Sequence, residues 1–117
     1  MLGRRPKGTE NYDIFAATRR TVDGAWEPPQ PLSELNTDAN ESDAFLVGEG
    51  RELLFTRSKD LQLARRPGTT GPFSLVGPLE ELNSSSEDND PWATPDLRYI
   101  VFSSDRSGSF QLYEASR

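Results

Sequence analysis

The chain has 117 residues, 33% hydrophobic and 27% charged, with nine Gly, nine Pro and a formal net charge of −6. That length fits one domain with a lean core, and the Gly and Pro punctuation favours many short strands over long helices. The acidic balance argues against a nucleic acid or an anionic membrane as partner, since both need a basic stripe. With no Cys and no His, disulfides, thiolate nucleophiles, the usual zinc sites and a Ser-His-Asp relay are excluded.

Taken in chain order, the first 15 residues carry charge but no apolar stretch of the signal-peptide kind, and no run is long and apolar enough to span a bilayer. Localisation is therefore left open. The first expected strand is "YDIFAATR" (12–19), which alternates apolar and polar residues with period 2. "AWEPPQPLS" (25–33) follows as an outer-edge strand, where a proline's missing N–H costs no ladder bond. The acidic loop "NTDANESD" (36–43) leads into a short strand "DAFLV" (43–47) and then the most apolar run, "ELLFTRS" (52–58). A second alternating strand, "DLQLARR" (60–66), and a second proline-bearing edge, "PFSLVGPLE" (72–80), come next. A second acidic loop, "NSSSEDND" (83–90), precedes "DPWAT" (90–94), "RYIVFSSD" (98–105) and "SFQLYEASR" (109–117).

The order of these segments repeats. Sliding the chain by 47 residues lays Pro31-Leu32 on Pro78-Leu79, Glu34-Leu35-Asn36 on Glu81-Leu82-Asn83, and Trp26 on Phe73. The same shift lays Asp43 on Asp90, Phe45 on Trp92, Arg51 on Arg98 and Phe55 on Phe102; beyond it the register needs about four extra residues around Gly108. Four strands per unit of this length is the signature of a β-propeller blade. The expected fold is all-β, a partial propeller of a little over two blades of four antiparallel strands. Residues 1–39 supply the third and fourth strands of a first blade, 40–86 a complete second blade, and 87–117 the first three strands of a third. Phe45, Phe55, Trp92, Phe102 and Tyr113 are the expected blade core.

The last unit resembles the WD40-like repeat of TolB-type β-propellers, through Trp92, Pro95, Asp96, Ile100, Phe102, Ser104, Arg106, Gly108 and Tyr113. It departs from that pattern at Ala93-Thr94 and at Leu97, where the family usually has Gly. The central unit keeps Phe45, Gly50, Leu53, Phe55 and Ser58 but lacks the Pro-Asp pair. The stretch 3–19 is similar to the family's turn between second and third strands. The resemblance implies a propeller of bacterial type, often periplasmic or exported, and says little about function because the repeat serves many roles. Propellers close with four to eight blades, so the expected partners are other copies of this chain or the rest of a larger propeller.

The two acidic loops precede the first strand of each unit. In a propeller they would line one mouth of the central channel, giving a rim of Asp38, Asp43, Glu87, Asp88 and Asp90. Such a rim suits a basic protein or peptide, or Ca²⁺, which takes several oxygens. The competing reading is that these are solvated connecting loops whose Asp and Asn side chains bond local backbone. The basic turns around Arg4, Arg5, Arg65 and Arg66 have two readings of their own, a contact with an acidic partner or plain solvation. No phosphate-binding glycine loop is present, and no catalytic residue or cofactor site is expected. The role expected is a non-catalytic binding scaffold. The alternative is the propeller portion of a hydrolase, either a glycosidase using a carboxylate pair or a prolyl-oligopeptidase-like peptidase.

Overall fold

The computed structural model describes residues 11–117 and the backbone of 2–4; the basic turn at Arg5 and the rest of the expected second-to-third strand turn lie outside the described residues. The described chain is all-β. Ten strands run β1 (Leu2–Arg4), β2 (Asp13–Ala16), β3 (Gln30–Pro31), β4 (Glu41–Val47), β5 (Glu52–Arg57), β6 (Asp60–Arg65), β7 (Ser74–Pro78), β8 (Asp88–Ala93), β9 (Tyr99–Ser104) and β10 (Gln111–Ser116). One short 3₁₀ turn, Gly48–Gly50, links β4 to β5. The strands form three antiparallel sheets, ordered β1-β2-β3, β4-β5-β6-β7 and β10-β9-β8.

β1 was not expected; three residues are too short to carry a periodic signal. The expected edge strand over 25–33 is only two residues long, because proline at 28, 29 and 31 leaves few N–H groups for a ladder. β4 and β8 begin two residues earlier than expected, at Glu41 and Asp88, and each holds a bulge, between Ser42 and Phe45 and between Asn89 and Trp92. The bulges hold Asp43 and Asp90 at φ 54° and 53°, a left-handed backbone that Asp tolerates better than most residues.

Alternation along the central sheet sends residues to two neighbours. Leu53, Phe55 and Ala64 join Ile14, Leu35 and Phe73 in a core against the first sheet. Leu54 and Leu63 join Val47 and Ala93, with Phe45, Leu79, Leu97 and Ile100, in a core against the third. That face-by-face division follows from the period of two along each strand. β4 touches β1 and β2 on one side and β8 on the other, and among the described residues no strand of the first sheet touches the third. Among the described residues the three sheets do not close into a ring.

Of the five expected core aromatics, Phe55 and Phe102 are buried, and Phe45 and Tyr113 are half-buried. Trp92 departs from the expectation at 47% exposed. It packs against Phe45, ring centroids 6.1 Å apart, but no described residue covers its far side. Tyr113 stacks on Phe102 at 6.1 Å, and the Arg106 guanidinium lies over both rings.

Candidate functional site

The loops before β4 and β8 are built by one bonding scheme, 47 residues apart. Asn36 Oδ1 accepts from Ile14 N–H while its Nδ2 donates to the Ile14 carbonyl; Asn83 does the same to Leu61. Leu35 and Asn36 N–H donate to the Leu32 carbonyl, and Leu82 and Asn83 N–H to that of Leu79. Each Asn side chain thus stands in for a ladder partner, turning the chain inward to the next sheet.

Each loop is then clamped from within by a buried carboxylate. Glu41, 0% exposed, accepts from Thr37 N–H, from the Thr37 hydroxyl and from Arg57 Nε at 2.8 Å. Arg57 also donates to the Leu35 carbonyl. Asp88, 0% exposed, accepts from Ser84 N–H, from the Ser84 hydroxyl and from Arg106 Nη2 at 2.9 Å. Arg106 in turn donates to the Leu82 carbonyl and to Ser104 Oγ. The position that pairs across the ladder is Arg57 for Glu41 but Ser104 for Asp88, so Arg106 reaches back from two residues further on. Burial alone would push the Asp88 carboxyl up, but bonds from Ser104, Ser84 and Arg106 outweigh it and hold it below the ordinary range.

Asp88, expected on the rim, is buried, its carboxylate bonded within the loop by Ser84 and by Arg106. The sequence reading also missed Glu41, Arg57 and the role of Arg106. The available signal was a hydroxyl residue four positions before a carboxylate in both loops, Thr37 to Glu41 and Ser84 to Asp88.

The remaining rim residues divide. Asp43, Glu87 and Asp90 converge: the Asp90 N–H donates to Asp43 Oδ2 at 3.3 Å. Partial burial, then the Asp43 charge and its hydrogen bond, then the Glu87 charge push the Asp90 carboxyl up. Glu87 is half-buried, with its N–H on Asp105 Oδ1 and its carboxylate facing Asn89 Nδ2. Asp38 stands apart, exposed, its carbonyl bonded by the Asn11 side-chain amide. Among the described residues no three carboxylates are placed to hold a metal ion, so the Ca²⁺ expectation finds no ligand set there.

The basic turn at Arg65 and Arg66 is also structural in part. Arg65 pairs with Glu52 at 2.7 Å, and Arg66 lies 4.2 Å from the Phe73 ring centroid while bonding the Gly50 and Gly71 carbonyls. Arg4 is described only in its backbone.

A cavity of about 290 Å³ opens between the second and third sheets, lined by Leu54, Leu79, Leu82, Ile100 and Ala115, with Glu81 and Arg117 at its lip. Neither Asp43 nor Asp90 lines it. No family model, curated protein or solved structure matches the chain.

Proposed function

We propose that this chain is a segment of a β-propeller acting as a non-catalytic binding scaffold, which completes its wheel with other copies of itself. The observation that carries the reading is the duplicated loop scheme. Two Asn bridges, two hydroxyl-carboxylate clamps and two bulged aspartates recur 47 residues apart, each setting the next sheet against the last. Units that contact only their sequence neighbours leave two open faces, and stacking or ring closure is what covers such faces. Here the open faces carry Trp26, Leu112 and Trp92 at 60%, 75% and 47% exposure.

The ligand face in this reading is the convergent group of Asp43, Glu87 and Asp90. A closed wheel repeats it around one mouth of the channel, and the matching partner is a basic protein or peptide. Binding of a Lys- and Arg-rich peptide by calorimetry tests this. Affinity should fall steeply with added salt and drop on Asp43→Asn with Asp90→Asn, and peptide binding unaffected by both would reject the rim.

The glycosidase alternative draws on the same pair, since an Asp90 carboxyl pushed up next to the Asp43 carboxyl suits an acid and its partner. The cavity that could hold a sugar is elsewhere, between the second and third sheets, so the geometry favours the scaffold.

A further inference from the structure

The cavity between the second and third sheets has a filled counterpart one unit earlier. There Phe73 sits on Leu35, Leu53 and Ala64, with Leu32 packed alongside. Its N–H donates to Glu34 Oε2 at 2.9 Å, and Arg66 lies over its ring. Arg66 N–H donates to the Arg51 carbonyl.

The lining of the cavity matches this arrangement residue by residue. Leu79 and Leu82 stand where Leu32 and Leu35 do, each pair closing the same turn. Ile100 pairs with Ala115 across the ladder as Leu53 does with Ala64. Arg117 N–H donates to the Arg98 carbonyl, as Arg66 does to Arg51. Glu81 occupies the place of Glu34. The aromatic ring and the strand that carries it are what the described residues do not provide. Among the described residues β10 is an edge strand, paired only to β9.

The chain holds a spare part of that kind. Trp26 corresponds to Phe73 and lies over Arg19, 4.3 Å from guanidinium carbon to ring centroid, as Phe73 lies over Arg66. Yet Trp26 is 60% exposed, against 3% for Phe73. Residues 17–31 are exposed except the half-buried Gly24. The Phe15–Pro31 and Ala16–Gln30 ladder pairs and a bond from Glu27 N–H to the Thr18 carbonyl tie the segment to the β2 arm.

We infer that this cavity and the free edge of β10 form an acceptor site for the segment Gly24–Pro31 of a second copy, with Trp26 of that copy filling the cavity. The proposal rests on the scaffold reading and names its contact. The incoming segment leaves its own β2 and runs beside β10 as a fourth strand. Glu81 accepts from its Trp26 N–H, and Arg117 covers the indole ring. Burying an aromatic with such a cation above it carries the contact, since proline at 28, 29 and 31 leaves only a few main-chain bonds for strand addition. Donor and acceptor lie on different parts of the surface, so the contact is head-to-tail and propagates until a ring closes. Exchange of an identical element between copies is a low-cost route to such assembly.

Two variants with opposite defects test it. Trp26→Ala keeps the acceptor and loses the donor; Ala115→Trp fills the cavity from within and keeps the donor. Analytical ultracentrifugation should show each alone at least about tenfold weaker in self-association than the wild type, and a mixture of the two should form a one-to-one pair that grows no further. Glu81→Gln, on the lip, leaves the cavity unfilled and should weaken assembly in the same direction. Trp92→Phe leaves Trp26 as the sole tryptophan, and its emission should shift to the blue as assembly proceeds. Assembly of Trp26→Ala equal to the wild type, or unchanged Trp26 emission, overturns the acceptor site while leaving self-association in place. A wild type that stays a folded monomer overturns both and leaves the cavity to a strand from outside this chain.

Discussion

Two aspartates two positions apart have opposite environments. Asp88 is held below its ordinary value of 3.8 in the folded chain, so on acidification the unfolded chain takes up that proton first. The clamp's contribution is complete above pH 3.8 and is lost as pH falls below it. Arg106→Ala leaves the buried Asp88 carboxylate unpaired and should cost about 3 kcal/mol at pH 7 by urea unfolding, with the deficit shrinking below pH 3.8. Asp90 has the opposite sign. Its carboxyl is raised beside Asp43, so repulsion is present at neutral pH and relieved as pH falls toward 3.8. Asp90→Asn should gain a few tenths of a kcal/mol at pH 7, screened because the site is exposed, and lose that advantage in acid. Asn keeps the left-handed backbone the bulge needs, so the comparison isolates charge. In the sequence Glu87, Asp88 and Asp90 read alike as loop acids. Only burial separates them, and burial depends on where Ser84 and Arg106 fold to.

At the level of elements, the β5–β6 hairpin turns on Ser58 and Lys59 at φ 46° and 81°, the two left-handed positions of a type I′ turn. Neither residue favours that region. Ser58→Asn with Lys59→Gly should stabilise the fold by about 1 kcal/mol, read as a higher urea midpoint with an unchanged slope. Phe73→Ala should cost about 3 kcal/mol because its pocket is closed, whereas Trp26→Ala should change the monomer by under about 0.5 kcal/mol. The strand plan was legible because period-2 alternation marks β6 and β10 and the apolar runs mark β5 and β9, and mid-strand Phe55 and Phe102 could only face inward. The bulges were not legible, since nothing in "ESDAF" or "DNDPW" marks a left-handed Asp. Leu97, flagged in the sequence as standing in a glycine's place, has φ 58° and packs against the core of Val47, Leu54, Leu63 and Ala93. Trp92 read as core because strand position reports the face and not whether anything covers it.

For the whole molecule, the three sheets contact in sequence order among the described residues, and Trp26 and Leu112 stand exposed on the outer two. Isolated exposed apolar residues need no explanation, but the proposed acceptor site would pair Trp26, beside its arginine, with a cavity of the same design in a second copy. Heterologous contacts of this kind give closed rings when the rotation per chain divides the circle and filaments when it does not; a wheel that closes makes the assembly discrete. The direct test is the mass of the purified chain in solution across a wide concentration range, by sedimentation equilibrium. The account predicts one stable multiple of 13.1 kDa that dissociates on dilution. A folded, cooperative monomer at every concentration would contradict it.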